Sequence, residues 1–283
     1  MKFRCLVMVL GAAMVAATSV GAETSDLALY LPCDGEITGR GYSTFSSVGL
    51  VFAPGHSREG AKVVRHGYDR RAILSVRDVA VRPVQSLFAY FSPDWPAQEG
   101  ADARHGLLAA SAKDFTTSLE QRGRELVFRV TTHGTTSRVA LKDPPWKKGA
   151  FSRVAAGYDF AKGKMFVEVD GVRREAALRG KAPADGTKAT VVVGDVLDAD
   201  YYSKTQAEGV LDEILFANEW LDGAALAEVV ETEIAKKAKT TVFSVAPAAV
   251  TARALSSAAA KGPFAWPYRH SPSTYETERH IRW

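Results

Sequence analysis

The sequence is poor in cysteine, in long apolar runs and in concentrated charge. Cys33 is the only cysteine after residue 22, so the body of the chain holds no internal disulfide, and its stability must come from a packed core. Beyond the first 22 residues, no stretch is apolar and long enough to cross a bilayer. The net charge of +4 is spread along the chain, whereas nucleic-acid-binding proteins concentrate basic charge on one face. We expect no nucleic-acid partner.

The short motifs that carry common chemistries are also absent from the 283 residues. There is no His-Glu-x-x-His or Cys-x-x-Cys pair for zinc, and no Gly-x-Ser-x-Gly elbow for a nucleophilic serine. No glycine-rich phosphate loop occurs either. The histidines in predicted turns are interpreted as solvated polar residues: His56, His66, His105 and His133. The sequence therefore predicts no catalytic residue, and we interpret the protein as a non-enzyme.

The N-terminus has the pattern of a secretory signal. Residues 1–4 are basic, residues 5–20 are almost wholly apolar, and small residues follow directly. This pattern predicts a signal peptide over residues 1–22, with cleavage before Glu23. An uncleaved membrane anchor is the alternative, but the run is shorter than the ~20 apolar residues that a transmembrane helix needs. We expect an exported protein of the periplasm, the cell surface or the extracellular medium.

Short β-branched and aromatic runs separated by turn residues make up the chain from Leu27 to about Val193. Residues 210–217 have a similar composition. Many short strands with Gly, Asp and Pro between them indicate an all-β sandwich or jelly roll. The predicted strands are residues 27–31, 49–53, 61–65, 86–91, 106–110, 125–130, 151–158, 164–169, 189–194 and 210–217.

The composition changes after residue 220. Asp222 is a suitable N-cap, and residues 224–239 are rich in Ala, Glu and Lys. Apolar residues recur there at helical spacing, which predicts one amphipathic helix lying across the sandwich; they are Leu226, Val229, Val230 and Ile234. Residues 240–283 form a C-terminal extension, in which 240–245 have the composition of a short added strand. Its aromatic tail (Phe264, Trp266, Tyr268 and Trp283) is suited to docking on its own domain or on a partner.

Five segments in order resemble one family. They are residues 29–35 (Leu-Tyr-Leu-Pro-Cys-Asp-Gly), 88–95 ending in Ser-Pro-Asp-Trp, 146–155 beginning Trp-Lys-Lys-Gly, 158–171 ending in Val-Asp-Gly, and 209–216 (Gly-Val-Leu-Asp-Glu-Ile-Leu-Phe). Together they are similar to LamG-like jelly-roll domains of the concanavalin A-like lectin/glucanase superfamily. The resemblance covers residues 26–230, with the helix continuing to about 239. It implies a two-sheet antiparallel jelly roll and leaves function open, because this fold hosts lectins, hydrolases, lyases and adhesion modules.

Glucanases of this superfamily carry the motif Glu-x-Asp-x-x-Glu, whose carboxylates flank one sugar bond. The nearest match begins at Glu168 and Asp170, but Arg173 stands in place of the third acid. We interpret Glu168 and Asp170 as hairpin residues. Asp212 and Glu213 are adjacent in a predicted strand, so their side chains are expected on opposite faces. A glycoside hydrolase with an unusual acid pair remains the less favoured alternative.

A structural calcium ion is the one cofactor that the resemblance implies. Relatives hold calcium between the first turn and the closing strand, which places its ligands at Asp34 and Asp212. Carboxylate and carbonyl oxygens are the ligands that calcium prefers. The alternative is that Asp34 caps a turn and that Asp212 accepts hydrogen bonds from nearby backbone amides.

Aromatic side chains on loops are the expected signature of carbohydrate binding, since sugar C–H faces pack on ring faces. The candidates are Tyr201 and Tyr202, in the polar loop 195–208, together with Trp95. Trp146 is interpreted as a packing residue at the edge of the core.

The sequence thus predicts a secreted, non-catalytic module that recognises a glycan or a protein partner through loops at one end of a jelly-roll sandwich. The alternative is a structural or assembly protein of the cell envelope that uses its aromatic C-terminal tail. Neither hypothesis requires a transmembrane segment after signal cleavage.

Overall fold

The computed structural model describes residues 26–35, 39–48, 51–63, 73–95, 103–196 and 205–244. They form fifteen strands and one helix. The strands are β1 Leu27–Leu31, β2 Phe45–Val48, β3 Val51–Pro54, β4 Glu59–Val63, β5 Ile73–Ala80, β6 Val84–Pro93, β7 Arg104–Ala112, β8 Phe115–Arg122, β9 Glu125–Thr132, β10 Thr135–Lys142, β11 Ser152–Asp159, β12 Lys164–Val169, β13 Val172–Ala177, β14 Lys188–Val193 and β15 Gly209–Ala217, and the helix is α1 Gly223–Ser244.

The strands build two antiparallel sheets that pack face to face. The first sheet has the order β13-β12-β11-β6-β15-β4-β3, with β1 also paired to β15. The second sheet has the order β10-β9-β8-β7-β14-β5-β2. The predicted fold class, a jelly-roll sandwich with one helix, is confirmed.

The core lies between the sheets and follows the two-residue period of the strands. In the second sheet one row of paired residues, drawn from β7 to β10, is buried and faces inward: Leu108, Leu119, Phe128 and Val139. Val154, Val167 and Phe216 of the first sheet belong to the same apolar cluster. Alternate residues of β7–β10 therefore point away from the core, onto the outer face of the second sheet.

Helix α1 covers the outer face of the first sheet. Its N-cap is the predicted one, because Oδ1 of Asp222 accepts the backbone N–H of Ala225 at 2.9 Å. Leu226 and Val230 are fully buried in a second apolar cluster with aromatic side chains of the sheet, Tyr30, Phe88, Tyr90 and Phe166. The strand predicted over residues 240–245 was wrong for 240–244, where the helix continues to Ser244. A capped and docked helix outweighs the weak β propensity of Thr and Val.

Five strands escaped prediction: β2, β5, β8, β10 and β13. Three of them (β2, β10 and β13) form sheet edges, and all five mix apolar residues with Ser, Thr or Arg. In β8, for example, buried Phe115 and Leu119 alternate with Thr116 and Ser118, which are partly exposed. Strands with one solvated face carry few apolar residues, so a search for apolar runs overlooks them.

The predicted signal peptide and the aromatic C-terminal tail lie outside the described residues. The chain divides into two units, Met1–Thr240 and Thr241–Trp283, and all fifteen strands belong to the first. Within the described ranges, no helix has the length and apolar character needed to span a membrane.

Truncation of Leu226 to Ala should weaken docking of the helix on the sheet. The side chain is fully buried, so we expect the free energy of unfolding to fall by about 2–5 kcal/mol in chemical denaturation. Glu228→Ala, at an exposed position of the same helix, is the matched control and should change it by less than about 0.5 kcal/mol. Equal stabilities of the two variants would show that the helix does not depend on this contact.

Candidate functional site

A bulge in β15 is the most unusual backbone feature beneath helix α1. The register between β15 and β6 breaks between Asp212 and Leu215. At the same point Glu213 has a φ of 50°, in the left-handed region that non-glycine residues rarely adopt. Glu213 therefore does not follow the alternation of a regular strand. The prediction that Asp212 and Glu213 point to opposite faces was wrong, because both carboxylates reach the same loop residue, Ser57.

The two carboxylates, named here the acid pair, are fully enclosed by hydrogen-bond donors. Oδ2 of Asp212 accepts the backbone N–H groups of His56 at 2.7 Å and Ser57 at 3.4 Å. Oε1 of Glu213 accepts the Ser57 hydroxyl at 2.8 Å, and its Oε2 accepts the Tyr30 hydroxyl. Neither acid is more than 1% exposed. The donors compensate for the burial of polar oxygens, which would be costly without partners.

Burial raises the pKa of both acids. For Asp212 the pKa rises to about 6, although the N–H groups of His56 and Ser57 favour the charged form. For Glu213 it rises to about 7, against hydrogen bonds from Tyr30 and Ser57 and with a further contribution from the charge of Asp212. The acid pair therefore changes its charge between weakly acidic and neutral pH.

Lys237 of helix α1 places an ammonium group beside the acid pair. Its Nζ donates to Oδ2 of Asp34 at 2.7 Å, and the Asp34 side chain is only 9% exposed. A cavity of about 10 Å³ lies between Tyr30, Asp34, Glu213 and Lys237. That volume accommodates about one water molecule. No saccharide fits beside the acid pair while the helix is docked.

The residues around Asp34 and Asp212 do not fit the predicted calcium ion. Both side-chain oxygens of Asp212 already accept hydrogen bonds from backbone N–H groups. Oδ1 accepts the backbone N–H of Glu213 at 2.9 Å. Oδ1 of Asp34 is buried without a hydrogen-bond partner, but Oδ2 already receives the Lys237 ammonium. The described part of the chain contains no group of three acidic, His or Cys side chains arranged to hold a metal. A lysine supplies the positive charge that the resemblance assigned to calcium.

Trp95, a predicted sugar-stacking residue, lies in the core. It is 3% exposed, its Nε1 donates to Oε1 of Gln121 at 3.2 Å, and its ring stacks on His105 with 3.8 Å between centroids. The indole therefore has no exposed face to offer a ligand. His105 is correspondingly buried rather than solvated, and Trp146 packs nearby as predicted.

Tyr201 and Tyr202, the other two candidates, lie outside the described residues. The two ends of their loop are described, and Asp195 holds them together. Its Oδ1 accepts the Thr205 hydroxyl at 2.6 Å, and its Oδ2 accepts the Gln206 amide at 3.2 Å. Both ends contact Gly106 of β7, where an added Cβ would lie 2.3 Å from the carbonyl carbon of Asp195. Glycine is required at that position by this close approach.

Glu168 and Asp170 have the hairpin role that the sequence predicted. Asp170 and Gly171 form the turn between β12 and β13, both with positive φ. Glu168 is buried and lies 3.8 Å from the guanidinium of Arg173, the residue that replaces the third acid of the glucanase motif. An arginine beside the carboxylate does not reproduce the paired acids of a glycosidase.

The acid pair should make stability decrease as the pH rises from about 4 to about 7. Unfolded Asp and Glu lose their protons near 3.8 and 4.5, whereas the folded groups keep theirs until about 6 and about 7. The unfolded state then binds fewer protons, so the free energy of unfolding falls across this interval and levels off above it. Glu213→Gln should reduce this pH-dependent decrease in the free energy of unfolding by roughly 3 kcal/mol. Urea denaturation at a series of pH values measures the change. An unchanged slope in the variant would contradict the assignment.

Calcium should not stabilise the protein. We expect a few millimolar calcium, compared with chelator, to leave the Tm unchanged, because Lys237 already neutralises Asp34. Lys237→Gln should lower the free energy of unfolding by about 1–3 kcal/mol, since it removes the charged partner of a buried carboxylate. Lys236→Gln, which changes an exposed neighbour, is the control. A clear rise in Tm on adding calcium to the native chain would restore the calcium hypothesis.

Comparison with known proteins identifies the fold and no family. No family model matches the chain, and no curated protein matches it. Among solved structures, the chain is similar to domain 4 of AbnA, a GH43 extracellular arabinanase from Geobacillus stearothermophilus. That structure is a complex with arabinotriose, and the TM-score is 0.55 at 13% identity. The match covers 74% of this chain and 100% of that domain.

Receptor-binding domains of botulinum neurotoxins are similar as well. The type G domain has a TM-score of 0.55 and 9% identity, over 74% of this chain and 52% of the toxin domain. The binding domain of neurotoxin DC in complex with SialylT matches with the same TM-score, identity and coverage. This chain therefore spans about half the length of the toxin domains. At these identities the likeness establishes a shared β-sandwich fold, which in these neighbours belongs to binding domains.

Proposed function

We propose that the protein is an exported, non-catalytic module of the LamG-like type that binds glycans. The observation that carries the proposal is the match over the whole of the AbnA domain, whose structure contains arabinotriose. The toxin neighbours, one of them in complex with SialylT, are binding domains of the same architecture. Export is supported by the signal-like residues 1–22.

The acid pair supports a binding role over a hydrolytic one. A glycosidase needs two carboxylates that flank a sugar bond in an open cleft. Asp212 and Glu213 are instead at most 1% exposed, beneath helix α1, beside a cavity of about 10 Å³. Ligand pockets for small molecules are typically ≈ 300 Å³ or larger. The pair acts in this proposal as part of the packing between the sheet and its helix.

Tyr201 and Tyr202 remain the proposed stacking residues. Two adjacent tyrosines in a polar loop can present aromatic faces to the C–H groups of a sugar. Asp195 ties the described ends of this loop to each other, which lowers the entropy that the loop loses when a ligand binds.

The purified chain should bind oligosaccharides on a glycan panel that includes arabinotriose. Replacing Tyr201 and Tyr202 together by Ala should lower the affinity about tenfold, since each stacked ring contributes about 0.5–1.5 kcal/mol. Isothermal titration calorimetry measures the change, and the double Tyr→Phe variant, which keeps both rings, is the matched control. A panel without any binding glycan would refute the proposed function, whereas binding that is indifferent to both variants would refute only the tyrosine site.

A further inference from the structure

The outer face of β7–β10 carries four arginines in two directly opposed pairs. Arg104 of β7 lies opposite Arg122 of β8, and Arg129 of β9 lies opposite Arg138 of β10. Arg129 pairs with Ser118 and adjoins the inward-facing Phe128, so its side chain points away from the core. By the same alternation, the other three arginines project from that side of the sheet. We name this surface the arginine face.

Glu120 is the organising residue of the arginine face. Its carboxylate, 1% exposed, accepts Nε of Arg104 at 2.6 Å and Nε of Arg122 at 2.8 Å, and it also accepts Nη1 of Arg129. Arg138 pairs with Glu125, whose side chain is 41% exposed. One buried carboxylate thus fixes three guanidinium groups in a defined arrangement, as a preformed recognition site requires.

Positive charge exceeds negative charge on these strands. Strands β7 to β10 carry five Arg and Lys residues against two Asp and Glu residues. Like charges directly opposite each other on neighbouring strands are destabilising. Burial lowers the pKa of Arg129, and Arg122, Arg138 and Arg104 act in the same direction while Glu120 opposes them. A bound anion would offset this repulsion between guanidinium groups.

A row of short hydroxyl side chains also lies on the arginine face. The row beside Arg129 and Arg138 consists of Ser111, Thr116, Thr131 and Thr136. Arg122 and Arg138 are 41% and 48% exposed, and helix α1 covers the other sheet. Short hydroxyl side chains leave room above the sheet and offer hydrogen-bond donors and acceptors to sugar hydroxyls.

The loop that carries Tyr201 and Tyr202 connects β14 to β15, and its two described ends contact the same strand, β7. Its described ends contact Gly106 of β7, two residues from Arg104, and Gly106 is the cross-strand partner of Glu120. The base of the loop and the arginine face are therefore neighbours. A ligand that lies on the arginine face would be within reach of residues flanking that loop.

We infer that the arginine face binds an acidic saccharide, with Arg122, Arg129 and Arg138 recognising its carboxylate or sulfate groups. The inference rests on the proposed glycan-binding function and names its ligand class. The planar guanidinium fork matches carboxylate and sulfate oxygens in pairs of parallel hydrogen bonds, which a lysine does not reproduce. Glu120 positions Arg122 and Arg129, and Glu125 positions Arg138.

The test compares three hexasaccharide probes by isothermal titration calorimetry: oligogalacturonate for carboxylate, a heparin fragment for sulfate, and arabinohexaose as a neutral probe. We expect one or both acidic probes to bind more tightly than the neutral one, with affinity that falls as salt rises. The variant with Arg122→Gln and Arg138→Gln should bind on the order of tenfold or more weakly. Arg→Lys at the same two positions should recover only part of the affinity. Arg174→Gln combined with Lys164→Gln, two exposed changes on β13 and β12 of the first sheet, is the control for net charge.

Each outcome bears on one of the two proposals. Loss of acidic-probe affinity in the Gln variant, with a native Tm and an unaffected net-charge control, supports the inference, and the preferred probe identifies carboxylate or sulfate. Acidic or neutral binding that the Arg122 and Arg138 changes leave intact overturns the inference while the glycan-binding function stands. Absence of binding to all three probes and to the wider glycan panel overturns both.

Discussion

Strand β15 is the constraint on which the rest of the sandwich depends, because it pairs with three other strands. β6 lies along one side of β15, while β4 and β1 share the other side, β4 at its beginning and β1 at its end. The bulge at Asp212 and Glu213 falls at the change of neighbour. There, strand pairing is interrupted, and the loop at His56 and Ser57 donates hydrogen bonds to the two side chains. The acid pair is therefore a consequence of how the first sheet is assembled.

The two outer faces of the sandwich differ in the polarity of their side chains. The first sheet presents aromatic side chains outward, such as Phe88 and Phe166, and helix α1 must cover them to remove them from water. The second sheet presents Arg, Ser and Thr outward, which need no cover. The acid pair of the first face is satisfied by internal hydrogen bonds, whereas the charges of the second face remain partly exposed. We therefore propose the second sheet, rather than the first, as the ligand-binding surface.

Sequence reasoning recovered the features that depend on local pattern. The strand Leu27–Leu31, the N-cap Asp222 and the turn at Asp170 and Gly171 follow from apolar runs, capping chemistry and turn residues, and all were predicted where they occur. Features that depend on contacts between distant residues were not recoverable. Lys237 meets Asp34 across 203 positions of sequence, and no local pattern indicates that pairing.

The arginine face was missed because its strands β8 and β10 lack apolar runs. Alternation in β8 of Phe115 and Leu119 with polar residues was the available signal, and a period-two search would have found it. For Asp212 and Glu213, by contrast, the period-two pattern itself led to the wrong prediction. Regular alternation predicts opposite faces for neighbours, and only the positive φ of Glu213 reveals the exception.

The position of β15 also determines the order in which this domain can be completed. Tyr30 of β1 meets its partner Glu213 across 183 residues, and β4 and β6 likewise need β15 to fill the gap between them. Such long-range pairing is costly in loop entropy, and the first sheet is complete only with β15 in place between β4 and β6. During synthesis, the edge of β1 that pairs with β15 lacks its partner until residues 209–217 have been made, whereas Tyr30 can pair earlier with Arg40. Completion of the first sheet therefore requires β15, the last strand of the described residues.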